Sequence, residues 1–290
     1  MRISEHKIVN IRIYKECVVN EMIALVTIFK EQFQNRKLIA ALVKYELKTK
    51  YAGSTLGTVW LFLDPIIRIS VFWFAFGLGI RGGGPVGDIP FIVWMQAGMI
   101  PWFYISATIS QGATSIASKL SLASKMDFPL SIIPVYKILA LLQTHFIILS
   151  LVFVLMFVYR ISFEGFSPLT LIYYIFSSTM FAFALSFVTS TLVSIVSDAK
   201  QVISHIVRLI FFMTPIMWTT ERVSHRWFHI VLNANPIYYL IRGYRDSFLY
   251  SNVNTINWGS TLYFWSVTLC LMLIGARFHL RFRKDFIDYI

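Results

Sequence analysis

Apolar residues in this chain come in long runs, not in the alternation of a half-buried strand. Six runs stand out: Gly57–Ile80, Ile89–Gln111, Leu130–Tyr159, Pro168–Val196, Val202–Thr219 and Trp258–Ala276. A helix needs ~20 predominantly apolar residues to cross the hydrocarbon core of a bilayer. Only helices and closed barrels satisfy every backbone polar group there. The pattern therefore predicts an all-α integral membrane protein with six transmembrane helices. The third and fourth runs approach 30 residues, so they are expected to tilt or to project beyond the bilayer.

Residues 1–56 differ. They hold ten Lys/Arg and no run long enough to span. This predicts a cytoplasmic N-terminal segment over 1–56, a transmembrane domain over 57–276 and a basic cytoplasmic tail over 277–290. The first twenty residues are polar, so no cleavable signal peptide is expected and the first span is the insertion signal. From Phe33 to Lys50 the periodicity is helical. Leu38, Ile39, Leu42, Val43 and Tyr45 fall on one side, and Lys37, Lys44 and Lys48 on the other. Glu46 intrudes on the apolar side. A basic amphipathic helix just before a span reads as an interfacial helix lying on the membrane; a surface helix of a small soluble domain would show the same pattern.

Between the fifth and sixth runs, residues 220–257 are too broken to span and too apolar for an ordinary loop. Trp227, Phe228, Ile230, Val231, Leu232, Ile237, Leu240 and Ile241 are interrupted by Asn233, Asn235 and Pro236. Two short helices in a re-entrant hairpin fit best, because irregular backbone is tolerated at depth where protein or a water-filled cavity covers it. A loop resting on the outer interface is the alternative.

Composition agrees with the membrane reading: 57% of residues are hydrophobic and 14% charged, against ~25% charged in soluble domains. The net charge of +12 does not point to nucleic acid. Basic residues lie mostly between the apolar runs, and no helix-turn-helix, zinc-finger or RNA-binding motif is present. Six spans put both termini on one side. The termini and connections of that side carry 17 Lys/Arg, and those of the other side carry 6. The positive-inside rule then puts both termini in the cytoplasm, as in a multi-pass protein of the plasma membrane.

Candidate chemistry is sparse. No phosphate-binding G-x-x-x-x-G-K-[ST] loop, H-E-x-x-H, CxxC or paired D-x-D occurs. Cys17 and Cys270 are too far apart to suggest a metal site. No catalytic residue, metal ligand or cofactor is therefore expected in this chain. The charges inside the runs are more informative, since charge within a membrane is costly. Arg68, Lys137 and Arg208 lie roughly 12–16 Å in from one boundary, at 1.5 Å per residue. Asp64 is one turn before Arg68 and pairs with it at i,i+4 spacing. Lys137 and Arg208 have no acid in their own spans. They line a path for anionic groups or else snorkel to the interface. Asp64 is the only acid inside any run, which argues against ion-coupled transport. Aromatics are dense in the first two runs, among them Trp60, Phe72, Trp73, Trp102 and Tyr104; most read as interfacial-belt and packing residues, and a subset facing a channel, with Trp60, Phe72 and Trp73 as candidates, would offer faces on which sugar rings stack.

Two segments carry a family resemblance. One is Lys50-Tyr-Ala-Gly-Ser-Thr-Leu-Gly-Thr-Val-Trp60-Leu-Phe-Leu-Asp-Pro65, which follows the basic helix. The other is Asn235-Pro-Ile-Tyr-Tyr-Leu-Ile-Arg-Gly-Tyr-Arg-Asp-Ser-Phe-Leu249. From about Phe33 onward the chain resembles the membrane subunit of ABC-2 type exporters for polysaccharides and polyol phosphates. Within that family it looks most like the wall teichoic acid branch, with O-antigen and capsule permeases as alternatives. An ion-coupled flippase or a membrane glycosyl- or phosphotransferase fits less well. The resemblance implies a homodimer joined to two copies of a separate cytoplasmic ABC ATPase, which binds the ATP and Mg. A lipid-linked anionic glycopolymer would pass along the dimer interface, largely between the first and fifth spans of each copy. Thr114, Ile116, Lys119, Leu120, Leu122, Lys125 and Met126 would form the segment that docks on the ATPase. Asn235, Pro236, Tyr239, Arg242, Gly243 and Arg245 would belong to the outer re-entrant motif.

Overall fold

The structure, a computed structural model, describes residues 22–80, 82–120, 128–220, 225–250 and 257–283. Regular structure among them is helical apart from a single bridge between Val86 and Ile89. The chain opens with α1 (22–34) and α2 (Arg36–Lys50). Then come α3 (Gly57–Ile80), α4 (Phe91–Ala113), α5 (Ile132–Val158) and α6 (Pro168–Ile195). The remainder is α7 (Ala199–Met213), α8 (Arg226–Asn233), α9 (Pro236–Leu249) and α10 (Trp258–Phe282). Five of these, α3, α4, α5, α6 and α10, are long and apolar enough to cross a membrane.

The fifth expected span folds differently. Predicted over Val202–Thr219, its helix covers Ala199–Met213, 15 residues, or only ~22 Å. It stops because of Pro215. Proline has no N–H to donate, and it drives the residue before it out of helical geometry. Thr214 is accordingly extended, with ψ 135°. In the segment expected to be a broken hairpin, two short helices do form. Asn235 separates them: its Oδ1 accepts from Ile237 N–H at 3.0 Å, and Pro236 takes the first helical position of α9.

Helix α4 is the axis of the bundle. It packs against α5, α6, α7 and α9, and 78% of its most apolar window is buried. Lipid tails are as apolar as leucine, so close approach and polar links must hold such helices together. Both are present. Gly112 of α4 lies directly on Ser186 of α6, Gly243 of α9 on the Tyr174 ring, and Gly275 of α10 on Phe187 and Val188. Helix α6 carries buried hydroxyls, and several return to carbonyls one turn back. Ser177 Oγ donates to Tyr173 O at 2.8 Å and Thr191 Oγ1 to Phe187 O at 2.9 Å, which satisfies those hydroxyls within the helix.

α1 and α2 form a separate layer. Ala24, Ile28, Ile39 and Val43 bury against Leu130, Ile133 and Tyr136 at the start of α5. Glu46, which spoils the amphipathic pattern of α2, forms an ion pair with Lys137 of α5. The tail of α10 joins the same layer: Arg283 Nη1 bonds Glu31 Oε1 at 2.6 Å.

At the opposite end, Arg245 ties three elements. It sits on α9 with 7% of its surface exposed. Its guanidinium lies 3.6 Å from the centre of the Trp94 ring. Nη1 donates to Pro215 O at 2.6 Å, Nη2 to Ile216 O, and Nε weakly to Trp94 O at 3.4 Å. The carbonyls exposed where α7 breaks are thus capped by a side chain of α9 that is stacked on α4. Gly98 makes the space, since a Cβ there would strike the guanidinium. Arg245→Met leaves these carbonyls buried without donors, at ~1–3 kcal/mol each. It is expected to lower the melting temperature of detergent-solubilised protein by several degrees. Arg245→Lys restores only part of the loss, because an ammonium lacks the planar fork. An unchanged melting temperature in Arg245→Met would contradict this role.

Candidate functional site

A cavity of about 630 Å³ is bounded by α3, α4, α5 and α7. It lies in the half of the bundle that carries α2. Each helix contributes residues near that end: Leu61 to Phe72 from α3, Trp102 to Gln111 from α4, Leu141 to Ile148 from α5 and Ser204 to Phe211 from α7. Lys50 and Tyr51 stand at the rim.

The walls are mixed. Ser106, Ser110, Gln111, Thr144 and Ser204 supply small polar groups. Phe72, Trp102 and Phe211, at the end farthest from Lys50, form an aromatic cluster. The Phe211 ring lies 5.5 Å from Phe72 and 5.4 Å from Trp102. One inner wall is polar and buried: Tyr104 and His145 rings lie 4.9 Å apart, and His145 Nε2 bonds Tyr244 OH at 3.0 Å. The cavity wall is therefore hydrogen-bonded to α9 one residue from Arg245.

Three cations reach the cavity. Arg68 Nε lies 3.2 Å from both oxygens of Asp64, as its i,i+4 spacing implies. Arg208 is exposed and has no ion pair among the described residues. Around Lys50, desolvation by neighbouring protein atoms lowers the pKa from its ordinary 10.5; Lys137 reinforces this, while Asp64 and Glu46 oppose it. Desolvation and the Asp64 charge raise that of Tyr51. The lining is therefore net positive, with one acid against three cations. Among the described residues no group of His, Cys, Asp and Glu is placed to hold a metal ion.

Of the residues expected along a substrate path, Arg68, Phe72 and Arg208 line this cavity. Lys137, Trp60 and Trp73 do not. Lys137 is taken by Glu46 of α2, a partner 91 residues away in sequence. Trp73 packs on the core beside Gly77, and Trp60 is on the exposed side of α3. Trp102 and Tyr104, noted among the dense aromatics but not assigned to the path, line the cavity as well, and sequence reasoning missed His145 and Phe211. No local pattern marks them, because tertiary packing alone brings them together.

The segment expected to dock on a partner is only partly visible. Ile116 and Leu120 are buried in the apolar cluster that also holds Ile39 and Val43 of α2. Ala117 and Ser118 are exposed, and Lys119 is half-buried. Leu122, Lys125 and Met126 lie outside the described residues. In the outer motif, Asn235 also donates through Nδ2 to Thr214 Oγ1 at 3.0 Å, and Arg242 pairs with Asp246 at 3.6 Å. Tyr239 OH bonds Tyr173 OH at 2.9 Å and Thr261 Oγ1 at 3.1 Å.

Comparison with known proteins matches residues 37–249 to the ABC-2 type transporter family. The chain belongs to that family. The match runs from α2 through α9 and so includes every wall of the cavity and the Arg245 ties. Similar proteins include the O-antigen export system permease protein RfbA of Myxococcus xanthus, 26% identical over 225 residues. That alignment covers 77% of this chain and 85% of the relative. A protein of the same name from Klebsiella pneumoniae is 25% identical over 252 residues, covering 85% and 93%. This ABC-2 type membrane protein is thus a multi-pass transporter subunit, and the cavity is walled by three of its candidate spans and by α7.

The cavity's accessibility is directly measurable. In a Cys17→Ser, Cys270→Ser background, Ser204→Cys and Ser110→Cys are expected to react with a membrane-impermeant maleimide applied from one side of the membrane. Gln96→Cys, buried in α4, is expected to stay unlabelled. Equal labelling of all three would contradict an open vestibule.

Proposed function

We propose that this chain is the membrane permease of an ATP-driven exporter for a lipid-linked, O-antigen-type polysaccharide. The observation that carries the reading is the net-positive, aromatic-ended vestibule between α3 and α7, set in an ABC-2 type bundle. A polysaccharide attached to its carrier through phosphates needs cations at the mouth and stacking faces within, and this cavity has both. Two relatives named as O-antigen export permeases favour a polysaccharide over the wall teichoic acid expected from the sequence.

In this reading the chain hydrolyses nothing. A separate cytoplasmic ABC ATPase binds ATP and Mg, and two copies of it join a permease homodimer. The dimer seam would run along α3 and α7, which leave Ile66, Ile67, Val202, Ile206 and Leu209 uncovered. The segment around Lys119 would face the ATPase on the cytoplasmic side, with both termini, in the plasma membrane. Pro215 to Leu249 would form the outer end of the path as a sixth, re-entrant element. The lipid-phosphate headgroup would meet Arg208 and Lys50 first, because Arg68 is already neutralised by Asp64.

The test is reconstitution of the permease with its ATPase in lipid vesicles. Lipid-linked polysaccharide is expected to change ATP turnover. Arg208→Gln is expected to raise the polysaccharide concentration needed for half-effect by about fivefold, the loss of one charge contact of ~1 kcal/mol. Lys137→Gln strands Glu46 and is expected to lower thermal stability while leaving that concentration nearly unchanged. If Arg208→Gln has no effect and Lys137→Gln shifts the half-effect, the assignment of roles is wrong.

A further inference from the structure

At the end of the bundle that carries Arg245, α8, α9 and α10 meet beside the first turns of α6 and leave a small recess of about 30 Å³. It shares no lining residue with the vestibule. The buried part of its wall is the Tyr174 ring, which lies on α9 at Gly243. A water molecule needs on the order of 10–15 Å³ of cavity volume. The recess therefore holds about two hydroxyl-sized groups and opens to the surface around them.

Its polar lining is unusually uncommitted. Arg242 Nε stands 3.6 Å from Asp246 Oδ2, beyond hydrogen-bond length. The two charges offset each other, yet the guanidinium keeps donors and the carboxylate keeps acceptors. The Asn233 amide and the Tyr238 and Ser260 hydroxyls make no side-chain hydrogen bond among the described residues. Asn257 Oδ1 accepts from the N–H groups of Gly259 and Ser260 at 3.0 and 3.3 Å, which leaves its Nδ2 to donate. Three separate elements thus aim free donors and acceptors at one space.

That mixture selects the occupant. A phosphate or carboxylate would meet the Asp246 carboxylate, and a cation would meet Arg242. An apolar group would leave the whole set without partners. A hydroxyl suits it, because one hydroxyl both donates and accepts, and the volume admits two. We propose that this recess is a carbohydrate site that holds two neighbouring hydroxyls of one sugar. They donate to Asp246 and accept from Arg242, Asn233 and Asn257, while the ring stays at the mouth beside half-buried Tyr238. The sugar belongs either to the exported chain as it emerges, which rests on the export reading above, or to a glycolipid headgroup in the same leaflet. Either ligand would grip α9, the helix that Arg245 ties to α4 and α7.

The experiment uses the full chain in phosphatidylcholine nanodiscs, without the ATPase. The probe is the cell's own surface polysaccharide, freed from its carrier by mild acid, and affinity is read by thermophoresis. A matched sample is treated with periodate, which cleaves vicinal diols, and is expected to bind about tenfold more weakly. Asp246→Asn is expected to weaken binding of the untreated chain about tenfold, and Asn233→Ala about threefold. Asn233 has no partner to lose, so its variant should keep the parent melting temperature. Arg208→Gln, in the vestibule, should leave this affinity unchanged. In a second arm, digalactosyl diacylglycerol is placed in the nanodisc. If it binds with the same dependence on Asp246 and Asn233 and the free polysaccharide does not, the site stands and its sugar is a membrane glycolipid. Binding by neither probe, equal binding after periodate, or weakening by Arg208→Gln but by neither recess variant would overturn the proposal. ATP turnover that responds to lipid-linked polysaccharide while the recess binds no sugar would remove this site and leave the export reading standing. Sugar binding at the recess with no such response would do the reverse.

Discussion

A buried guanidinium has five donors and no water to give them to. At Arg245 that demand organises one end of the molecule. The carbonyls it needs exist because Pro215 stops α7, and the ring it stacks on exists because α4 turns Trp94 inward. Each side of the arrangement satisfies a deficit in the other: broken helix carbonyls lack donors, and the arginine lacks acceptors. In a membrane neither deficit can be left to solvent. The result is that α4, α7 and α9 share a fixed geometry. The Tyr244–His145 hydrogen bond, one residue along α9, carries that geometry to the wall of the vestibule.

The rest of the bundle is held very unevenly. α4 is surrounded on all sides, while only 17% of the most apolar window of α3 is buried. α7 buries Ala199 and Ile203 and little else. The two helices that flank the vestibule are therefore loosely held. Motion is expected in regions with few buried contacts, and a path for a long polymer needs walls that can part. The firm end at Arg245 and the loosely held walls below it are complementary parts of one device.

Much of this was legible in the sequence. Five of the six apolar runs are spanning helices because run length alone decides the matter in lipid. The basic helix before the first span, the Asp64–Arg68 pair and the two short helices around Asn235 also follow from local spacing. What local spacing could not provide was partners. Lys137 looked unpaired because its acid is Glu46, the residue that made α2 look imperfectly amphipathic. Arg245 was legible as part of a motif but not as a staple, since its acceptors lie 29 and 30 residues before it. α1 was missed because its apolar positions serve two faces and give no single-sided pattern. Ile116 and Leu120 read as part of a surface segment, yet both side chains are buried in the chain's own apolar cluster. The Phe72–Trp102–Phe211 cluster joins three helices, and no window of sequence contains it.

The central claim is that the vestibule between α3 and α7 receives the lipid-linked polysaccharide. Site-specific photo-crosslinking tests it most directly. A photoreactive amino acid is placed at Phe211, at Trp102 or, as a lipid-facing control, at Leu169, in membranes that contain the ATPase and the lipid-linked polymer. The account predicts polymer adducts from Phe211 and Trp102 that are lost when ATP drives export to completion, and none above background from Leu169. Adducts of equal yield at all three positions, or none at either vestibule position, would contradict it.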